Sequence, residues 1–139
     1  MRILVDTNIF LDVLLEREGL AEKSQAVLDW CENHPGEAWM AWHTLTNLYY
    51  IGTKTVGKAK ALAFVDEILS VFEICAGDTL AAGAARDLAM PDFEDALQAV
   101  AAKGAKVSLI VTRNVNDYRR SPIPAATPES FLRRVSSNK

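Results

Sequence analysis

The sequence predicts an α/β domain built on a parallel sheet. Three observations carry this. Short runs that are apolar or nearly so, Ile3-Leu4-Val5, Ala38–Trp42 and Val107–Thr112, suit strands buried on both faces. Segments of helical periodicity alternate with those runs. Turn clusters such as Asn33-His34-Pro35-Gly36 punctuate them.

In order, Arg2–Val5 reads as the first strand. A helix starts at Thr7 or Asn8, with Ile9, Phe10, Val13 and Leu14 on one face, and Gly19 interrupts it. Ser24–Glu32 reads as a second helix, ended by the Asn33–Gly36 cluster. Ala38–Trp42 is the second strand. Leu45–Ile51 is a helix closed by Gly52, and Gly57–Ser70 is an amphipathic helix. Val71–Cys75 is the third strand. Asp78-Thr79 is an N-cap signal for a helix over Leu80–Ala89. Asp92–Lys103 follows Pro91, with Gly104 as the residue that ends it. Val107–Thr112 is the fourth strand and Pro122–Ala126 a short fifth. Pro128 opens a last helix, Glu129–Val135, with a polar tail.

At 139 residues the chain is expected to form one domain, residues 1–139, large enough for a sizeable core. Half of it is hydrophobic and 24% charged, as in globular proteins. No apolar stretch suffices to span a membrane, and no secretory signal is visible, so a cytoplasmic location is expected. Cys31 and Cys75 sit apart in apolar surroundings, which favours free buried thiols. The formal net charge of −3 argues against simple basic-patch binding to nucleic acid. It leaves room for a nuclease whose acidic site a metal neutralises. Basic residues cluster at Lys54, Lys58 and Lys60 and at Arg113, Arg119 and Arg120, as solvated surface or as phosphate contacts.

In a parallel sheet, ligands bind beyond the carboxyl ends of the strands. Asp6 stands there after strand one, as a helix cap or as a site carboxylate. Asn114, Asn116 and Asp117 stand just past strand four. Asp92 and Asp95 share a helix face that Gln98 extends; the alternative is a well-capped helix start with acids suited to the dipole. Carboxylates from three distant segments, gathered at one sheet edge, repel unless a cation joins them. Hard oxygen donors without a Cys or His cluster suit Mg²⁺ or Mn²⁺.

The stretches LVDTNIFLDVLLERE, HTLTNLYYI, DFEDALQAVAAKG and IVTRNVNDYRRSPIPAATPESFL resemble, in order and spacing, the PIN-domain family, and most of all its VapC-type bacterial toxins. The resemblance covers nearly the whole chain. It implies a PIN-like, Rossmann-like parallel sheet of about five strands between helices. It also implies a Mg²⁺- or Mn²⁺-dependent endoribonuclease with an RNA substrate, leaving 5′-phosphate and 3′-hydroxyl ends, and an antitoxin partner. Asp6, Asp95 and Asp117 match the metal-binding aspartates, with Asn114 in a neighbouring polar slot. Asn47 stands where the family commonly has a glutamate, and Asp92 or Glu94 are candidates to compensate. An amide neither supplies charge nor acts as a base. Thr112 is a candidate to orient the acids and Asn8 to hold the strand-one turn. Arg113, Arg119 and Lys54 are candidate phosphate contacts.

The residues beside the acids have plainer expected roles. His34 reads as a turn residue and His43 as structural. Trp30, Trp39 and Trp42 read as core or partner surface before base-stacking. Tyr49 and Tyr50 are expected to divide between core and rim. A homodimer is expected, with Trp30 and the Leu45–Ile51 face as candidate surface. The competing class is a non-catalytic PIN scaffold, motivated by Asn47. A haloacid-dehalogenase-type phosphatase would need an aspartate where Asn8 stands. A phospho-receiver would need acids in place of Leu4-Val5. The sequence disfavours both.

Overall fold

The computed structural model describes residues 1–137; the last two residues of the expected polar tail lie outside that range. Five strands form one sheet: β1 (Ile3–Val5), β2 (Ala38–Ala41), β3 (Glu73–Cys75), β4 (Leu109–Val111) and β5 (Ala125–Ala126). All pair parallel, in the order β3-β2-β1-β4-β5. Seven helices are described: α1 (Thr7–Leu14), α2 (Ala21–Glu32), α3 (Trp42–Val56), α4 (Lys58–Leu69), α5 (Thr79–Asp87), α6 (Phe93–Gly104) and α7 (Pro128–Ser137). A 3₁₀ turn spans Val115–Tyr118. This is the α/β fold the sequence implies. No described helix is long and apolar enough to cross a membrane.

The strands alternate their side chains between two cores. Ile3, Val5, Leu109 and Val111 join Ile9, Phe10, Met40 and Phe131 on one face. Leu4 and Ile110 join Ala99, Ala102 and Tyr118 on the other. Period-two alternation with both faces covered explains why these runs are continuously apolar. Burial of each large side chain contributes roughly 1.5–3 kcal/mol. On the second face, small residues of α6, Ala96, Ala99 and Ala102, are fully buried.

The chain steps outward from β1 to β2 to β3, then crosses back to β4 on the other side of β1. The switch point therefore lies between β1 and β4. Their register pairs Val5 with Val111, so Asp6 and Thr112 leave the sheet side by side. The Asp6 amide still donates to the Val111 carbonyl at 3.0 Å.

Several boundaries differ from the sequence expectation. Trp42 begins α3 rather than ending β2, and its side chain is exposed. Gly52 does not close α3; the helix runs through it to Val56. The reason is packing: a Cβ on Gly52 would lie 2.8 Å from Leu14 Cδ2 and 3.1 Å from Ala61 Cβ. The break falls at Gly57, whose φ of 94° is open to glycine at little cost. Gly104 remains inside α6, and Lys106 takes the positive φ, 59°. Tyr49 and Tyr50 are both exposed instead of divided. Trp30 packs between His34, stacked at 4.0 Å, and Phe131, edge-on at 5.1 Å, so it offers little free surface. His34 sits in the turn after α2. Cys31 and Cys75 are free and buried, and burial raises their thiols to about 12 and about 11.

Candidate active site

A cleft of about 390 Å³ opens at the carboxyl ends of β1 and β4. Asp6, Asp92, Glu94, Asp95 and Asp117 all line it, together with Asn8, Asn47 and Asn114. The structure thus brings together the three acidic segments of the sequence. No Lys or Arg is among the described residues that line it.

Asp6 occupies the N-cap position of α1 with extended backbone, yet its side chain makes no cap hydrogen bond. Its carboxylate is turned elsewhere. Gln98 Nε2 donates to Oδ1 at 2.8 Å and the Thr112 hydroxyl donates to Oδ2 at 2.7 Å. All three residues are at most 4% exposed. Burial of a carboxylate away from water is costly unless both oxygens are satisfied, and here both are. The Thr112 hydroxyl in turn accepts from the Asn114 amide at 3.0 Å. Thr112 thereby ties the segment after β4 to the carboxylate after β1.

Asp92 behaves differently. It caps α6, accepting from the Asp95 amide at 3.1 Å. The helix-cap reading of this acid describes its geometry, and it lines the cleft as well. Asp95 projects from the first turn of α6. Burial above all, then the carboxylates of Asp6 and Asp92, raises its pKa to about 7, against a lowering hydrogen bond from Tyr118. Loss of hydration around the charged form, and then repulsion from neighbouring carboxylates, both act in this direction.

Sequence reasoning missed Tyr118. Its ring is buried in the core beneath the 3₁₀ turn. Its hydroxyl accepts from Gln98 Nε2 at 2.7 Å and donates to Asp95 Oδ1 at 3.1 Å. A tyrosine beside an aspartate in a polar turn carries no periodic signal. Burial, Asp6 and Asp95 all push its phenol pKa upward, so it stays protonated and able to donate.

Asn47 reaches across from α3 toward Glu94, with Nδ2 and Oε2 3.4 Å apart. His43 is half-buried in the same wall, and burial lowers its pKa despite the nearby acids. Asn8 faces Arg17, at 3.4 Å. Arg113, Arg119 and Lys54 are not among the cleft-lining residues. Arg113 is bonded to Asp12 by two nitrogens, with part of its side chain still exposed. Lys54 lies over the Tyr50 ring.

Among the described residues no three His, Cys, Asp or Glu side chains already stand as a metal-holding group. Mg²⁺ commonly binds through one or two carboxylates and keeps several waters. A cleft with five carboxylates and no cysteine among its lining residues fits such a partly hydrated hard ion.

A family model described as "PIN domain" matches residues 2–116; Asp117 and Tyr118 fall just past that span. No curated protein sequence matches the chain. Among solved structures, the VapBC2 complex of Rickettsia felis bound to a promoter DNA fragment is similar, with TM-score 0.70 and 18% identity over 91% of this chain and 98% of that one. DNA-bound VapBC from Salmonella typhimurium gives 0.69 and 20%, over 92% and 98%. Mycobacterium tuberculosis VapC20, a sarcin-ricin loop cleaving toxin, gives 0.64 and 14%, over 78% and 86%. At these identities the structures share the fold. The family match over most of the sequence, on a parallel sheet with its acids at the β1–β4 edge, establishes that the chain belongs to the PIN-domain family.

Proposed function

We propose that the protein is a metal-dependent endoribonuclease, the toxin of a toxin–antitoxin pair, which hydrolyses RNA phosphodiesters in the cytoplasm. The observation that carries this reading is the acidic cleft at the sheet's switch point, five carboxylates without a lining Lys or Arg among the described residues. Similarity in fold to a sarcin-ricin loop cleaving toxin supports RNA as the substrate. Similarity to VapBC complexes supports an antitoxin protein as partner. A homodimer completes the reading, with exposed Trp42, Tyr49 and Tyr50 of α3 as its candidate surface.

Asp6 and Asp95 would hold Mg²⁺ or Mn²⁺, with Asp117 joining directly or through water. The chemistry such an ion supplies when bound is acidification of water and neutralisation of charge on a phosphodiester. The chain's own part is orientation. Gln98 and Thr112 fix both oxygens of Asp6, and Tyr118 fixes one oxygen of Asp95. Asp92 holds the start of α6 so that Asp95 faces the cleft. Asn8, Asn47 and Asn114 offer uncharged polar groups at its wall.

Purified protein incubated with mixed RNA and Mn²⁺ is expected to yield fragments with 5′-phosphate ends, and EDTA is expected to stop the reaction. Asp6→Asn and Asp95→Asn are expected to abolish cleavage while retaining the fold. No cleavage by the wild type, with no effect of expression on growth, would sink this reading. One observation favours a second, a non-catalytic RNA- or protein-binding PIN scaffold: the α3 side of the cleft presents the neutral Asn47, which bonds Glu94 weakly at 3.4 Å. RNA binding without cleavage would select it.

A further inference from the structure

Asp6 and Asp95 come from segments far apart in sequence, and a continuous hydrogen-bonded bridge joins them. Gln98 Nε2 donates one hydrogen to Asp6 Oδ1 at 2.8 Å and the other to the Tyr118 hydroxyl at 2.7 Å. That hydroxyl, with its proton, donates to Asp95 Oδ1 at 3.1 Å. Gln98 is 1% and Tyr118 3% exposed. Neither can exchange its partners for water, so each bond constrains the next.

The bridge is more than core packing with polar atoms. A phenylalanine at 118 would fill the same space against Ala99 and Ala102, and an apolar side chain at 98 would fill the wall of α6. Both positions instead carry donors, directed at the two carboxylates. Gln98 lines the cleft, and its Oε1 is buried without a partner among the described residues. A lone buried acceptor is unfavourable, so the amide is placed for its two donated bonds at the expense of its third.

We propose that Gln98 and Tyr118 are positioning residues that splint Asp6 and Asp95 at a fixed separation, and so set the affinity of the cleft for a divalent cation. This inference rests on the proposed metal-dependent reading. Two carboxylates that repel each other would otherwise swing apart toward solvent, and a cation would have to reorder them on binding. The splint holds one oxygen of Asp95 and leaves the other for the cleft. Both side chains are almost wholly buried, so each acts through the carboxylate it bonds. Residues that orient ligands in this way commonly alter metal affinity by about 10–100-fold when removed.

The test is Mn²⁺ binding to Tyr118→Phe and Gln98→Met, followed by electron paramagnetic resonance of the free ion, with circular dichroism melts of the metal-free proteins. Both variants are expected to melt cooperatively and to bind Mn²⁺ about tenfold more weakly than wild type. RNA cleavage at limiting Mn²⁺ is expected to fall in proportion and to recover at saturating Mn²⁺, with KM for RNA unchanged. Recovery of that kind separates positioning from general damage. If both variants bind Mn²⁺ as wild type does while Asp95→Asn does not bind it, the splint is wrong and the metal-site reading stands. If wild type binds Mn²⁺, the variants bind it weakly and no protein cleaves RNA, the splint stands and the nuclease reading falls. If wild type binds no Mn²⁺, or if both variants unfold, the proposal is overturned.

Discussion

Arg113 grips Asp12 with two nitrogens, Nε to Oδ2 at 2.8 Å and Nη2 to Oδ1 at 3.2 Å. Asp12 is fully buried, and it also accepts from Arg17 at 3.1 Å and from Ser24 at 3.0 Å. The pair ties the segment after β4, which carries Asn114 and Asp117, to the helix after β1. Removing the carboxylate leaves two guanidinium groups without their counter-charge. Asp12→Ala is therefore expected to destabilise the fold by about 3–5 kcal/mol, measured by urea unfolding. Arg113→Met leaves Asp12 with Arg17 and Ser24, and a smaller loss of roughly 1–3 kcal/mol is expected. RNA binding by Arg113→Met should keep the wild-type salt slope, since Nε and Nη2 of the guanidinium are committed to Asp12; a slope reduced by about one would make Arg113 a phosphate contact.

Asp95 gives the metal-free protein a characteristic pH dependence. Its pKa is raised from 3.8 to about 7 in the folded chain, by burial first and then by Asp6 and Asp92. Between those values the folded state holds more protons than the unfolded state, so stability falls as pH rises. The contribution is fully present below the unfolded value and lost as pH rises through about 7. Melts of the metal-free protein from pH 4 to 8 should show this decline, and Asp95→Asn should flatten it. Mn²⁺ affinity should run the opposite way, strengthening as Asp95 ionises. Affinity indifferent to pH between 6 and 8 would remove Asp95 from the ion's ligands.

Asp6→Asn should fold. The amide carbonyl can accept from Gln98, and the Thr112 hydroxyl can rotate to accept from the amide nitrogen, because a hydroxyl both donates and accepts. The substitution also takes away one of the charges that raise the Asp95 pKa. Carboxyl-selective NMR titration should therefore place Asp95 closer to its ordinary value in this variant. An Asp95 titration unmoved by the substitution would mean that the two carboxylates do not interact as the structure has them.

Gly52→Ala should destabilise despite its better helix propensity. Propensity favours alanine by about 1 kcal/mol. Against this, the new Cβ would lie 2.8 Å from Leu14 Cδ2 and 3.1 Å from Ala61 Cβ. Leu14 Cδ2 can rotate away, but Ala61 Cβ moves only with the backbone of α4, and overpacking of this kind costs about 1–3 kcal/mol. A net loss should appear as a lower thermal midpoint, and a raised midpoint would show that α3 and α4 can separate freely.

The strands and the sheet-edge acids were legible because each has a local signature. Ile3-Leu4-Val5 is continuously apolar for a strand covered on both faces, and Asp6 interrupts it abruptly. Asp95 follows a recognisable helix start. The buried role of Asp12 was not read from the sequence, although it is an acid inside the apolar run Phe10–Leu14. Its partner Arg113 stands 101 positions away, and no periodicity points from one to the other. Gly52 looked like a helix stop because glycine is a poor helix former, whereas the packing of α3 on α4 and on Leu14 needs the absence of a side chain.

The sequence by itself determined the alternation of strands and helices, the parallel sheet, the family and the three acidic segments, since all of these follow from local pattern and motif. The tertiary structure decided which acid caps a helix and which faces the cleft. Asp92 caps α6, and Asp6, although at a cap position, gives both its oxygens to Gln98 and Thr112. It also decided that Tyr118 joins the acids and that Arg113 pairs with the buried Asp12. The reason is physical: a carboxylate's role is set by which donors reach it through a low-dielectric interior, and those donors come from chain segments that only folding brings within 3 Å of it.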